Sequence, residues 1–210
     1  MSPQKRADQP EILTRLGAQW TAKFKSRRAN NAGATFYWPA IPVAERITRL
    51  ERLNHRLIEI LKLQTLNCCS FCGRRPVESK SIEHYKPKSR YPDEAYAWAN
   101  LFYCCSMCQA RKREIWHAHL LKPDASDYTF PRYFQWNFRS GHLEPSDSAN
   151  YQDRRAAQLT ICLYNLNHSE LRLCRRRARK AWIKSDQTPE DFEDADHPSY
   201  ITAAESQYTA

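Results

Sequence analysis

Two Cys-x-x-Cys pairs, CSFC at Cys69 and Cys72 and CSMC at Cys105 and Cys108, stand 32 residues apart and limit the fold of this 210-residue chain more than any other feature. Each pair can close a tight knuckle presenting two thiolates, and two knuckles fill the tetrahedron that zinc prefers in a closed structural site. Such a site supplies ~10 kcal/mol of folding free energy at neutral pH, which a small unit with little core requires. The spacing exceeds that of a zinc ribbon, so the segment between the pairs is expected to be an element itself, such as a hairpin pinned at both ends. Cys68 and Cys104 each precede a paired cysteine and offer a competing CxxxC register. A dithiol redox site and buried, non-ligating cysteines are the other readings, although the redox site lacks its βαβ context. Cys162 and Cys174 fall on apolar faces of expected helices and read as core.

No apolar run approaches the length of a membrane span, mean hydropathy is -0.79, and the polar start MSPQKRADQP has no signal-peptide core. The expectation is a cytoplasmic protein without membrane contact, in which eight cysteines are poor disulfide candidates. All 33 lysines and arginines lie in residues 1–184 with 16 of the 23 acids, whereas residues 185–210 hold the other seven acids. A body that basic attracts polyanions over a Debye length, and nucleic acid is the commonest in the cytosol. Ribosomal or membrane-surface contact, or a plain soluble surface, remain open on charge alone.

The pattern predicts an α+β, mainly helical chain with four regions. Residues 1–66 form a helical region: Ile12 to Lys25 is one helix, whose Trp20 and Phe24 pack onto a longer amphipathic helix from Val43 to Leu66. A polar loop at Asn30, Asn31 and Gly33, with Pro39 and Pro42, separates them. Residues 67–121 carry the motifs, with Gly73 turning the chain from CSFC into strand-like residues. Residues 122–184 begin with an aromatic, loop-like stretch to Gly141 and end in a helical hairpin, Arg154 to Tyr164 and Glu170 to Lys184, joined by NLNH. Residues 185–210 form an acidic tail with Pro189 and Pro198, at best partly ordered.

Between the knuckles runs SIEHYKPKSRYP, and just before and through the second knuckle runs WANLFYCCSMCQARK. An acid, a histidine, two residues and proline, then Asn-Leu, then CxxC and a lysine, resemble the HNH nuclease signature. The EHxxPKS segment is similar in particular to the HNH subunit of the Septu antiphage systems, also found beside some retrons. The likeness runs from about Cys68 to Lys180 and takes in KPDASDYTFPRYFQWNFRSGHLEP and LYNLN. It implies a zinc-stapled ββα-metal (His-Me finger) unit with Mg²⁺ or Mn²⁺ as catalytic cation, acting on DNA in preference to RNA. It also implies a hetero-oligomer with an ABC-type ATPase, consistent with the lack of any glycine-rich phosphate loop here.

The chemistry gives each residue type a reason. Cutting a phosphodiester needs a water activated near neutral pH and a cation on the developing charge. His84 is suited to be the base, and the neighbouring Glu83 is a hard oxygen ligand for the cation. Neighbours in a strand point to opposite faces, so a twist or bulge at the strand end is expected to bring both to one phosphate. Pro87 helps to fix that exit. By resemblance Asn100 braces the loop that positions the histidine, and the second cation ligand falls on Gln109, where the family has asparagine in CNxxK. The glutamine offers the same amide oxygen on a longer stem, so the geometry is looser. Lys112 matches the family lysine and pairs with a carboxylate or phosphate, or is a surface cation; Lys86 and Lys88 stand on the substrate side.

His117 and His119 are two residues apart, on different faces if helical, and read as substrate-side or structural. His55, His142, His168 and His197 carry no supporting pattern. Arg172, Arg175, Arg176, Arg177, Arg179, Lys180 and Lys184 crowd one helix opposite Leu171, Cys174, Ala178 and Ala181. These cations call for a nucleic-acid backbone, the chain's own acidic tail or an acidic partner surface, and Arg175, Arg176 and Arg179 are the candidate substrate contacts. The competing functions are an endonuclease, a catalytically weak or silent zinc module that recruits nucleic acid or a partner, and an RNase acting on tRNA.

Overall fold

The computed structural model describes residues 4–30, 51–75 and 80–183. It is a mixed α+β protein, with six helices and two small antiparallel sheets among the described residues. In chain order the elements are α1 (Glu11–Ala29), α2 (Glu51–Gln64), β1 (Lys80–His84), β2 (Leu101–Cys105), α3 (Ser106–Lys112), the single turn α4 (Phe130–Tyr133), β3 (Phe134–Asn137), β4 (His142–Pro145), α5 (Tyr151–Tyr164) and α6 (Ser169–Ile183). No described helix is long and apolar enough to cross a membrane. The expected first turns of the long helix at 43–50, Asn31, Gly33, Pro39, Pro42, Lys184 and the tail with Pro189, His197 and Pro198 lie outside the described residues.

Helix α1 buries Leu13, Gly17, Trp20 and Phe24, spaced to form one stripe. Trp20 and Phe24 meet the ring of Tyr96 at centroid distances of 5.5 and 6.5 Å, so α1 is anchored to the connection between β1 and β2. Helix α2 buries Leu57 and Leu61. The chain leaves it through Leu66 and Asn67, both left-handed at φ 49° and 61°, and this reversal delivers Cys68 and Cys69 to the start of the motif-bearing region.

Strands β1 and β2 pair antiparallel without insertion, from Lys80 opposite Cys105 to His84 opposite Leu101. All five residues of β2 are buried, which is why LFYCC reads as a continuous apolar run and not as an alternating one. Two short 3-10 turns, Pro92–Glu94 and Trp98–Asn100, shape the long connection. An N-terminal arm holds it from behind: Arg6 donates to the Trp98 and Leu101 carbonyls at 2.8 and 3.1 Å and pairs with Asp124 at 2.5 Å. Helix α3 begins where β2 ends. Cys105 is its N-cap, its sulfur accepting the Cys108 amide at 3.5 Å.

The stretch expected as loop from Lys122 to Gly141 instead contains α4 and β3, and β3 forms a hairpin with β4, Phe134 opposite Pro145 and Asn137 opposite His142. Phe134 and Trp136 are buried while Gln135 and Asn137 are only partly so, an alternation too short to stand out beside its aromatic neighbours. Gly141 closes the turn at φ 74°, and a Cβ there would lie 2.6 Å from the Arg172 carbonyl of α6.

The expected helical hairpin is present as α5 and α6. Asn150 caps α5 by accepting the Asp153 amide at 2.9 Å, and Asn165 ends it in the left-handed region at φ 49°. The faces differ from expectation. Helix α5 buries Ala156, Ala157, Thr160, Ile161 and Tyr164, so Cys162 lies about 100° beyond Ile161 and is exposed, not core. Helix α6 buries Leu171, Arg175 and Ala178, which leaves Cys174 half-buried at the edge of that face.

Candidate functional site

The sulfurs of Cys69, Cys72, Cys105 and Cys108 all lie within 4.8 Å of one another, and all four residues are buried. A regular tetrahedron with metal–sulfur bonds of about 2.3 Å has edges of about 3.8 Å. Cys72 and Cys105 stand at 3.8 Å. The first knuckle is a turn in which Gly73 donates to the Cys69 carbonyl at 2.9 Å, and the second is the helix cap of α3. The CxxC register is therefore the one that converges: Cys68 turns outward, and Cys104, although buried, is outside the group of four. Crowded hydrogen bonds from Cys104, Cys108, Cys69 and Cys72 hold the Cys105 thiol far below its ordinary value. Four buried sulfurs at this spacing could hold a metal ion such as zinc.

Glu83 and His84 sit at the end of β1, and both are buried, at 4% and 8% exposure. The uninterrupted register contains no bulge within β1, one of the two devices expected to re-aim a side chain there. Glu83 turns toward α3, where its Oε1 accepts from Lys112 Nζ at 2.7 Å. His84 turns to the connection, its Nε2 lying 2.9 Å from the Ala95 carbonyl. A carbonyl only accepts, so Nε2 carries the proton and Nδ1 the lone pair. Burial, reinforced by the charge of Lys88, lowers the imidazole to about 3. Burial also raises the Glu83 carboxyl, against the pull of Lys112.

Asn100 is buried at the foot of the connection between β1 and β2. Its Oδ1 accepts the Lys86 amide at 2.7 Å, and its Nδ2 donates to the Lys86 and Glu94 carbonyls at 3.0 and 2.9 Å, bracing the two ends of the loop that follows His84. Gln109 lies on α3 with its Nε2 3.4 Å from the Ile82 carbonyl, one residue before Glu83. Lys112 is fully buried and so is no surface cation or phosphate contact; of its expected roles the carboxylate pair is the one present. Lys86 is half-buried, paired with Glu94 and lying 5.6 and 5.5 Å from the ring centroids of Tyr91 and Trp116. Lys88 remains partly exposed with its charge felt at both Glu83 and His84.

Further contributions were not legible beforehand. The Ala95 carbonyl that sets the His84 tautomer has no side-chain signature. Tyr164, on α5, brings a buried hydroxyl close enough for the Glu83 charge to add to the effect of burial in raising its pKa. Among the described residues that hydroxyl has no hydrogen-bond partner, while its ring stacks on Phe71 at 4.2 Å. His117 and His119 follow α3 in exposed, non-helical segments, their rings 5.3 Å apart. Arg175 is fully buried, its guanidinium 4.7 Å from the Trp136 ring and donating to Gly141 at 3.1 Å, which corrects its reading as a substrate contact. Arg179 donates to the Phe138 carbonyl at 3.4 Å, whereas Arg176, Arg177 and Lys180 are exposed. No protein-family model matches the chain, and no curated protein matches it.

Proposed function

We propose that the chain is a metal-dependent HNH endonuclease that hydrolyses phosphodiester bonds in nucleic acid, with DNA the favoured substrate. The carrying observation is the His84 imidazole, whose Nε2 is held by the Ala95 carbonyl so that Nδ1 keeps its lone pair, on a strand end between the two cysteine knuckles. The four cysteines hold zinc as a structural ion, and Glu83 with Gln109 would hold Mg²⁺ or Mn²⁺. That cation supplies positive charge against the phosphoryl oxygens. His84 Nδ1 takes the proton of the attacking water, the Ala95 carbonyl stabilises the imidazolium that results, and Asn100 keeps the loop from relaxing as the charge forms. Lys88 and the exposed Arg176, Arg177 and Lys180 meet the phosphates. The resemblance adds a role as nuclease subunit beside an ABC-type ATPase in antiphage defence.

A second reading, a silent zinc module, has its own support. The Glu83 carboxylate already pairs with Lys112, the two catalytic side chains face different elements, and Gln109 stands where the family has asparagine. One assay separates the two. Plasmid DNA and total tRNA are incubated with the purified chain, with and without a candidate ATPase partner, in Mg²⁺ or Mn²⁺, against His84→Ala. Cleavage of DNA by wild type alone supports the proposal, cleavage of tRNA alone redirects it to an RNase, and identical behaviour of both proteins on every substrate rejects it.

A further inference from the structure

We propose that Lys112 is a positioning residue that divides the two oxygens of Glu83, holding Oε1 so that Oε2 alone is presented to a divalent cation. The inference rests on the nuclease reading for its purpose, but its geometry stands by itself. Lys112 is fully buried, and its ammonium donates at 2.7 Å both to Glu83 Oε1 and to the His84 carbonyl. One cation thus clasps the side chain of the first residue of the pair and the main chain of the second. Neither residue can shift along β1 without breaking a charge-assisted bond. Glu83 Oε2 takes no hydrogen bond among the described residues, so it is the oxygen left for a metal.

The placement of Lys112 explains why a lysine is needed at this point of α3. Cys108 and Lys112 are four residues apart on the same buried face, one turn separating a metal-binding sulfur from the ammonium. The knuckle fixes the start of the helix and the lysine spends that rigidity at its end.

The test uses the full-length, zinc-loaded chain as wild type, Lys112→Met, Lys112→Arg, Glu83→Gln and the Glu83→Gln/Lys112→Met pair. Mn²⁺ binding is read by electron paramagnetic resonance, with zinc content and circular dichroism as controls and cleavage kinetics beside them. Lys112→Met is expected to keep one zinc, to weaken Mn²⁺ binding tenfold or more, and to lower kcat while nucleic-acid KM stays within twofold. Lys112→Arg recovers part of the Mn²⁺ affinity. With Glu83 already removed, Lys112→Met changes Mn²⁺ binding no further. The proposal is overturned by wild-type Mn²⁺ affinity in Lys112→Met, by effects of the two substitutions that simply add, by a rise in KM in place of the Mn²⁺ defect, or by no Mn²⁺ binding in wild type. If Lys112→Met does not fold, the charge-free double variant and Lys112→Arg decide: refolding of the former with partial Mn²⁺ binding by the latter upholds the clasp, and failure of both rejects it. Glu83-dependent Mn²⁺ binding without any cleavage sinks the nuclease reading and leaves the clasp standing.

Discussion

The four-cysteine cluster and the Glu83 and His84 pair lie at opposite ends of the same two strands, yet they are built in different ways. The cluster is made of two local turns, each needing only a few residues to aim its sulfurs, and the β1 and β2 register then brings the turns together. The pair depends on groups from elsewhere: Lys112 from the end of α3, Ala95 from the long connection and Tyr164 from α5. Locally specified geometry survives much variation in the rest of the chain, whereas the pair is only as good as the packing that delivers its partners. The first region should therefore control whether the centre folds, and the second whether it acts.

The largest effect tests that division directly. If the four cysteines hold zinc, chelation or Cys108→Ser should unfold the β1, β2 and α3 unit, since a structural zinc contributes ~10 kcal/mol at neutral pH. Zinc per chain and a thermal melt read the outcome. Cys104→Ser, one residue from a ligand but outside the group of four, should keep its metal. A protein that melts unchanged after chelation would remove the staple from the account. Next in size, His84→Ala should lower cleavage about 10³-fold, within the usual contribution of a general base, with zinc content unaltered. A variant that cuts as fast as wild type places the proton transfer elsewhere.

These two regions also show what the sequence made legible. CSFC and CSMC pointed to the four-cysteine cluster because spacing within a knuckle is a local property, and EH, Asn100 and Lys112 were visible as residue types. The direction each side chain takes was not visible. Lys112 read equally well as a surface cation, and only packing of α3 on β1 puts its ammonium beside Glu83. Lys86, expected on the substrate side, also pairs with Glu94 and lies near the rings of Tyr91 and Trp116, a placement its sequence position does not show. The β3 and β4 hairpin escaped because four-residue strands give too little alternation to detect.

A pH experiment sharpens the contrast at intermediate magnitude. His84 stays neutral in the folded protein down to about 3, whereas in the unfolded chain it binds a proton below about 6.5. Between those values the unfolded state holds more protons, so stability contributed by this residue is present above about 6.5 and is lost as pH falls, by about 1.4 kcal/mol per unit. Denaturant melts of wild type and His84→Gln should thus differ in their acid slope and converge toward neutrality. Because acid also protonates cysteine ligands, only the difference between the two zinc-loaded proteins carries the result, and parallel slopes would mean that His84 is protonated when folded.

The smallest effect concerns α6, where exposure sorts arginines that the sequence could not tell apart. Arg175 belongs to the interior, capped by Trp136 and bonded to Gly141, while its neighbours Arg176 and Arg177 face solvent. If the exposed pair contacts phosphate, Arg176→Ala/Arg177→Ala should weaken nucleic-acid binding evenly across sequences and lower the salt slope by about 2, with no change in melting temperature. Arg175→Ala should do the reverse, lowering stability by about 2 kcal/mol through lost packing and a lost bond while leaving the salt slope of the folded fraction alone. Equal salt slopes in the double variant and wild type would assign the exposed cations to a partner other than nucleic acid. The basic helix would then stand with the zinc cluster as architecture, and the phosphate contacts would fall to Lys88 beside the Glu83 and His84 pair.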